Sequence, residues 1–143
     1  MAATDAAALA QRFNDAYNER DWDAAAAMTA PNATFVSVPT GETFHGPEGA
    51  KQFLQVWATA FPQSRVETTN LVADAQGAAI EFVGRGVHAG LLKTPMGDIP
   101  ATGRSVEQHF CSVLKADGGQ VQENRLYFDV AGLMQQLGVM PGR

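Results

Sequence analysis

Residues 102–138 decide the fold and read TGRSVEQHFCSVLKADGGQVQENRLYFDVAGLMQQLG. Two extended runs rich in apolar residues, 105–115 and 121–128, flank an Asp-Gly-Gly sequence at 117–119. This arrangement predicts a tight hairpin, because glycine adopts the positive φ angles that short β-turns require. The apolar residues that follow have helical spacing and predict a short helix ending at Gly138. A long hairpin followed by a helix can form one wall of a pocket.

Composition predicts one globular domain over residues 1–143, because 45% of the chain is hydrophobic and 17% is charged. The net charge of −5, with no cluster of Lys and Arg, argues against nucleic-acid binding. No apolar run has the length of a membrane span, and the N-terminus does not resemble a signal peptide. The single cysteine, Cys111, excludes an internal disulfide and favours the cytoplasm. One cysteine and three scattered histidines predict no metal site, and we expect no cofactor.

The rest of the chain predicts helices first and strands afterwards. The predicted helices cover residues 4–20, 22–29 and 47–61, and the predicted strands cover residues 33–38, 66–73 and 78–88. A long connection with proline and glycine, 90–102, has the character of a lid or binding loop. The order indicates an α+β fold in which N-terminal helices pack on one face of a curved antiparallel sheet. Such a sheet closed by helices forms a cone with a cavity at its wide end.

Alternation along the hairpin separates two faces. The more apolar face is predicted to meet the helices and comprises Gln108, Phe110, Ser112, Leu114, Asn124, Leu126 and Phe128. The opposite face is more polar and comprises Glu107, His109, Cys111, Glu123, Arg125 and Tyr127. A polar face without strong net charge suits a contact between subunits, so we expect a homodimer through the sheet.

Four segments in the right order resemble the NTF2-like superfamily. They are FNDAYNERDWDAAAAMTAPNATF (13–35), FHGPEGAKQFLQVW (44–57), RGVHAG (85–90) and DGGQVQENRLYFDVAGLMQQLG (117–138). Within the superfamily they are most similar to the SnoaL-like polyketide cyclase and ester cyclase group. The resemblance implies a helical cone over a curved sheet, usually dimeric, that holds a hydrophobic small molecule. The superfamily contains both enzymes and non-enzymatic binding domains, so the fold alone does not select the function.

Ketosteroid isomerases share this architecture and use a tyrosine, an aspartate base and a protonated aspartate. The resemblance places these three roles at Phe13, at or next to Ser37, and at Gln108. Phenylalanine has no hydroxyl group and serine is not a base, although Gln108 can still donate one hydrogen bond. A steroid isomerase of that type is therefore not expected.

In the polyketide cyclases, the resemblance implies a strand aspartate that acts as general acid and base, with two histidines near it. The aspartate position here is Leu126, and the histidine positions are Asn124 and approximately Ser112. Leucine cannot transfer a proton, so the usual aldol machinery of this group lacks its central residue.

Two titratable residues remain as candidates. Asp129 directly precedes the last helix, where it can be an N-cap or an acid and base, and the cap is the favoured interpretation. His88 lies at the start of the long connection and is either structural or a proton-transfer residue. The candidate catalytic residues are His88, Asn124, Gln108 and Asp129. The candidate substrate-binding residues are Phe13, Tyr17, Trp57, Phe82, Phe110, Ser112, Leu126 and Phe128.

Three functions are compatible with these residues. The first is a polyketide cyclase-like enzyme whose amides and hydroxyl groups stabilise an oxyanion while His88 or Asp129 transfers protons. The second is a non-catalytic binding protein for a hydrophobic ligand, which the leucine at position 126 favours. An epoxide hydrolase-like activity ranks last, because Arg85 has no pair of aspartates at suitable strand positions. Whether Asp129 and His88 face the cavity distinguishes the first two.

Overall fold

The computed structural model describes residues 2–139, with side chains described from Ala6 onward. The elements are α1 (Ala2–Glu19), α2 (Trp22–Ala27), β1 (Thr29–Ser37), β2 (Glu42–His45), α3 (Gly46–Ala60), β3 (Arg65–Ala73), β4 (Gly77–Val87), β5 (Ser105–Asp117), β6 (Gln120–Phe128) and α4 (Val130–Leu137). The six strands form one sheet in the order β2-β1-β6-β5-β4-β3. The predicted α+β class, with N-terminal helices and a short C-terminal helix, is confirmed.

The hairpin of β5 and β6 is the one that the sequence predicts. Asp117 pairs with Gln120, and the two glycines between them have φ angles of 60° and 77°. Two consecutive positive φ angles define a type I′ turn, whose twist matches the twist of the flanking strands. The last helix ends at Gly138 in the left-handed conformation, as predicted.

The first two strands differ from the prediction. β1 runs parallel to β6, so the sheet is mostly, rather than entirely, antiparallel. Parallel pairing is possible because the remaining chain between β1 and β6 is long enough to return to the same end of the sheet. β2 was not predicted at all. It pairs with β1 over four residues, which is too short for alternation to be recognised.

Two glycines of β4 allow other parts of the chain to approach closely. A Cβ atom on Gly86 would lie 2.7 Å from Ser64 Cβ, and one on Gly84 would lie 3.2 Å from Phe110 Cε2. Register shifts within β1, β3 and β5 indicate bulges, which bend strands and increase their twist. The sheet therefore curves around the helices that cover its inner face.

The core lies between the sheet and the helices. Phe13, Phe35 and Phe53 bring α1, β1 and α3 together, with ring centroids 5.5 to 6.5 Å apart. A second cluster joins the end of α3, the loop after β4 and α4 through Phe61, Leu92 and neighbouring aliphatic residues. Within residues 2–139, no helix is long and apolar enough to cross a membrane.

Candidate functional site

Three small cavities lie between the helices and the sheet, and Trp57 lines all of them. The inner cavity, of about 50 Å³, is lined by residues that include Phe13, Asn14, Phe82, Ser112 and Leu126. The side cavity, of about 40 Å³, is lined by residues that include Tyr17, Ser64, Gly84, Gly86 and Gln108. The mouth cavity, of about 30 Å³, is lined by residues that include Ser37, Glu42, Phe44, Leu92, Lys93 and Met134.

Trp57 is the wall that the three cavities share. The four-residue spacing of Phe53, Trp57 and Phe61 places all three on one face of α3 and its C-terminal end. The indole ring meets Phe110 and Phe128 edge to face at 5.3 and 5.2 Å. Ligand pockets usually have roughly 300–1,000 Å³, so each cavity alone has room only for water-sized groups. A larger ligand would need these cavities to be joined, and Trp57 is the residue that lines all three.

The inner cavity lies where the resemblance places the cyclase carboxylate. Leu126 is 3% exposed and pairs across the strands with Ser112. No hydrogen bond of the Ser112 hydroxyl group is found within residues 2–139, so this group is available to a ligand. Asn14 of α1 also lines the cavity and donates from Nδ2 to Thr68 Oγ1 at 3.4 Å. The inner cavity therefore offers hydrogen bonds, but its described lining residues include no carboxylate or imidazole.

Tyr17 lies between the inner and side cavities, one helical turn after Phe13. Its hydroxyl oxygen lies 2.6 Å from Ser64 Oγ, and the Arg20 guanidinium carbon lies 4.6 Å from its ring centroid. Burial raises the pKa of Tyr17, while the hydrogen bond with Ser64 and the charge of Arg20 oppose that shift. Tyr17 therefore stays protonated at neutral pH and can donate a hydrogen bond.

The two candidate amides occupy different environments. Gln108 lines the side cavity, donates from Nε2 to the Asp129 carbonyl oxygen at 3.3 Å, and accepts from Gln136 Nε2 at 3.4 Å. Asn124 is 1% exposed, pairs with Leu114 and lines none of the three cavities. A step of two residues along a strand displaces a side chain by about 6.6 Å. Asn124 therefore lies about one such step from Leu126, among packed residues of the sheet. This position does not give it the contact with substrate that the sequence predicts.

His88 is fully buried and lines none of the three cavities. Its Nδ1 accepts from the Thr102 backbone N–H at 3.2 Å and lies 2.9 Å from Thr102 Oγ1. Burial lowers the pKa of His88, and a backbone interaction with Gly90 opposes that shift. Through its contacts with Thr102, the ring joins the two ends of the loop between β4 and β5. This placement agrees with the structural interpretation of His88 and gives no support to proton transfer to a ligand in these cavities.

Asp129 caps α4. Its Oδ1 accepts from the Gly132 N–H at 2.9 Å, and the residue is exposed to solvent. Asp129 is absent from the linings of the three cavities. The structure thus agrees with the cap interpretation and gives no support to Asp129 as an acid or base acting on a ligand.

Sequence reasoning missed Glu42. Among the described residues that line the three cavities, Glu42 is the only carboxylate. Burial raises its pKa. The sequence signal for Glu42 is weak, because its strand has four residues and its inward orientation depends on the pairing with β1.

The outer face of the sheet carries the charged residues that were expected there. Arg85 Nη1 lies 3.0 Å from Glu67 and its Nε lies 3.4 Å from Glu107, all exposed. Arg85 is therefore engaged with glutamates on the surface, and no aspartate pair of the epoxide hydrolase type surrounds it within residues 2–139. The homodimer through this face stays a prediction, which the mass in solution decides.

A curved six-stranded sheet with helices and cavities on its inner face defines an NTF2-like protein. More narrowly, the chain belongs to the SnoaL-like polyketide cyclase family, whose pattern matches residues 7–137. No match was found among curated proteins.

Solved structures with the same fold include a candidate SnoaL-like polyketide cyclase from Jannaschia sp. CCS1, with 19% identity, a TM-score of 0.83 and coverage of 96% of this chain and 94% of the other. TsrD from Streptomyces laurentii has 22% identity, a TM-score of 0.79 and coverage of 95% and 96%. AclR, a candidate hydroxylase from Streptomyces galilaeus, has 19% identity, a TM-score of 0.78 and coverage of 97% and 88%. At these identities the likeness concerns the fold.

Proposed function

We propose that this protein is a polyketide cyclase-like enzyme that acts on a hydrophobic, oxygen-bearing small molecule inside the cone. The observation that carries the proposal is the arrangement of three apolar cavities around one shared aromatic wall, Trp57. Largely apolar linings with a few convergent polar groups are typical of sites for small organic ligands. Membership of the SnoaL-like family supports the same class of ligand.

The polar groups suit a ligand with carbonyl or hydroxyl oxygens. Ser112 lies in the inner cavity, Gln108 lies in the side cavity and Tyr17 lines both. Hydrogen-bond donors in an apolar site stabilise a developing oxyanion more strongly than the same donors in water. Displacement of Trp57 from its contacts with Phe110 and Phe128 would join the cavities into one larger site. This scheme requires no cofactor.

A second function, binding without catalysis, is favoured by one observation. Leu126, at the position where the resemblance places the family carboxylate, is buried. A protein that only holds or delivers a hydrophobic ligand needs no proton-transfer group at that position. The two proposals share the ligand class and differ in whether a reaction follows binding.

Binding can be tested through the fluorescence of Trp57. The chain has two tryptophans, so Trp22→Phe leaves Trp57 as the only one, and phenylalanine retains an aromatic ring beside Tyr17. We expect saturable quenching with acetophenone, 1-tetralone and anthrone, and tighter binding as the number of rings increases. Trp57→Phe is the matched control, in which Trp22 should respond weakly. Absence of saturable quenching in Trp22→Phe with all three ketones contradicts a ligand site around Trp57.

Catalysis can be tested with the enolisable ketones of the same series. In D₂O, an enzyme that abstracts a proton next to a carbonyl group accelerates deuterium incorporation, which NMR detects at the α-carbon. Saturable acceleration over a protein-free control supports the enzyme. Binding without any acceleration favours the binding protein.

A further inference from the structure

We infer that Glu42 is the general base of this protein and abstracts a proton from the carbon next to a substrate carbonyl group at the mouth cavity. The inference rests on the proposed function and assigns its reaction to a residue outside the positions that the family resemblance indicates. It starts from one fact, that Glu42 is the only carboxylate among the described residues that line the three cavities.

The alternation of β2 directs Glu42 towards the interior. Glu42 and Phe44 are half-buried, whereas Thr43 and His45, on the other side of the strand, are exposed. Phe44 packs edge to face against Phe53 of α3, with ring centroids 6.1 Å apart. This contact fixes the inner face of β2 against the helix, so the Glu42 carboxylate lies at the mouth cavity on the same side as Trp57.

Strand pairing places a hydroxyl group beside the carboxylate. Ser37 of β1 is the direct partner of Glu42, and side chains directly opposite each other in an antiparallel pair have Cβ atoms about 4.5–5.5 Å apart. Ser37 is buried and lines the same cavity. Its oxygen accepts from Thr40 Oγ1 at 2.9 Å, which leaves its own proton free to donate. The mouth cavity thus combines a base with an adjacent hydrogen-bond donor.

The charges around Glu42 are few. Among the described residues that line the mouth cavity, the only other charged one is Lys93, on the loop between β4 and β5. Within residues 2–139 no ion pair of Glu42 is found. Burial raises the pKa of Glu42, which makes the carboxylate a stronger base than an exposed one. A shift in this direction favours proton abstraction by the carboxylate.

The reaction balances without an oxidant or a reductant. A Glu42 carboxylate oxygen takes the proton as the C–H bond breaks, and the electron pair of that bond forms a C=C bond. The carbonyl π electrons move onto oxygen, and the resulting enolate can accept a hydrogen bond from Ser37 or interact with Lys93. After the Glu42 carboxyl group has exchanged its proton with solvent, delivery of a solvent proton or deuteron to the same carbon gives exchange, and delivery to a conjugated carbon gives an isomer. Either outcome restores the carboxylate.

An inward-facing charge on an edge strand has a structural explanation as well, because it prevents pairing with another sheet. Under that explanation Glu42 needs its charge but does not contact a ligand. Replacement of the charge would then leave the reaction rate unchanged. The two explanations therefore predict different results for the glutamine variant.

The test compares Glu42→Gln, Glu42→Asp and Glu48→Gln with the wild type. Glutamine retains the shape of the side chain and removes the base, and aspartate moves the carboxylate back by one methylene group. Glu48 is the control, an exposed glutamate of α3 whose carboxylate lies 3.1 Å from Lys51. We expect Glu42→Gln to lose about 100-fold or more in the rate of deuterium incorporation into 1-tetralone, because general bases contribute about 10²–10⁴-fold. Glu42→Asp should retain more, and Glu48→Gln should match the wild type. Quenching of Trp57 should persist in every variant.

The pH profile provides a second readout. The wild-type rate should rise with pH as Glu42 loses its proton, and the rise should be absent from the residual rate of Glu42→Gln. If Glu42→Gln does not fold, as judged by circular dichroism, the rate of Glu42→Asp and the pH profile of the wild type test the role of Glu42 instead. An unchanged rate in Glu42→Gln, or a flat wild-type profile, overturns the assignment while ligand binding stands. Absence of both quenching and exchange in the wild type overturns the proposed function together with it.

Discussion

The inner cavity and the mouth cavity share Trp57 but differ in chemistry. The inner cavity is closed by Leu126 on a central strand, whereas the mouth cavity contains Glu42 on the edge strand. A carboxylate at the centre of the sheet loses its hydration almost completely, and this costs several kcal/mol unless partners compensate. At the edge, water still reaches the carboxylate. In this chain the titratable group lies where its burial costs least, and the deepest position holds an apolar side chain.

The strongest way to break this comparison is to place a carboxylate in the inner cavity with Leu126→Asp. Loss of apolar burial and the presence of an unpaired acid should reduce the free energy of unfolding by about 3–5 kcal/mol at neutral pH. Desolvation should raise the pKa of the new carboxyl group in the folded state above its unfolded value. The native state then favours the protonated form, so the stability of the variant should decrease as the pH rises from 4 to 8. Urea unfolding at several pH values measures both effects.

The matched control is Leu126→Asn, which has a similar shape and does not titrate. Its loss of stability relative to the wild type should not depend on pH. If both variants lose less than about 1 kcal/mol, the inner cavity accommodates polar groups as easily as a surface does. The contrast between the two cavities would then be incorrect.

Local chemistry explains the part of the fold that the sequence predicts. Gly118 and Gly119 supply positive φ angles, so the hairpin and its register follow from adjacent residues. Once the register is set, alternation assigns the faces, which is why the burial of Leu126 and Ser112 follows from the sequence. Caps and stop signals are equally local, as Asp129 and Gly138 show.

The rest of the site depends on contacts between distant parts of the chain. Glu42 faces the interior only because β2 folds back onto β1, and four residues carry too little pattern to reveal this. The long connection that follows His88 makes proton transfer one of its two interpretations, but the loop folds back and the ring is buried, with its centroid 5.3 Å from that of Phe61. Asn124 and Leu126 share a face of the sheet, but because the sheet is curved only Leu126 lines a cavity.

A second prediction concerns the loop that forms one wall of the mouth cavity. His88 joins the two ends of this loop through Thr102, and the loop packs through Leu92, which is 2% exposed. Shortening the loop should therefore reduce stability, in contrast to the behaviour expected of a freely moving lid.

Because the pKa of His88 is lowered in the folded state, the native state binds protons less readily than the unfolded state. Stability should decrease as the pH falls through the ordinary histidine pKa of 6.5.

The variant His88→Asn tests this anchor, because its amide oxygen can replace Nδ1 as an acceptor while the side chain does not titrate. Urea unfolding between pH 5 and 8 should show a smaller decrease of stability at low pH than in the wild type. The substitution changes no other histidine, so the difference between the two proteins reports on position 88. Equal slopes in the two proteins would show that His88 does not control the pH dependence.

The smallest expected effect belongs to Asp129, which lies near the wall of the mouth cavity without lining it. Its carboxylate accepts from the Gly132 N–H, and loss of such a cap by Asp129→Ala typically costs about 1 kcal/mol. Asp129→Asn should retain most of the stability, because the asparagine side chain also caps helices. In both variants the quenching of Trp57 and the rate of deuterium incorporation should match the wild type. If the rate falls in both variants while Asp129→Asn keeps its stability, Asp129 is again a candidate for proton transfer. The distinction between Glu42 inside the mouth cavity and Asp129 outside it would then be lost.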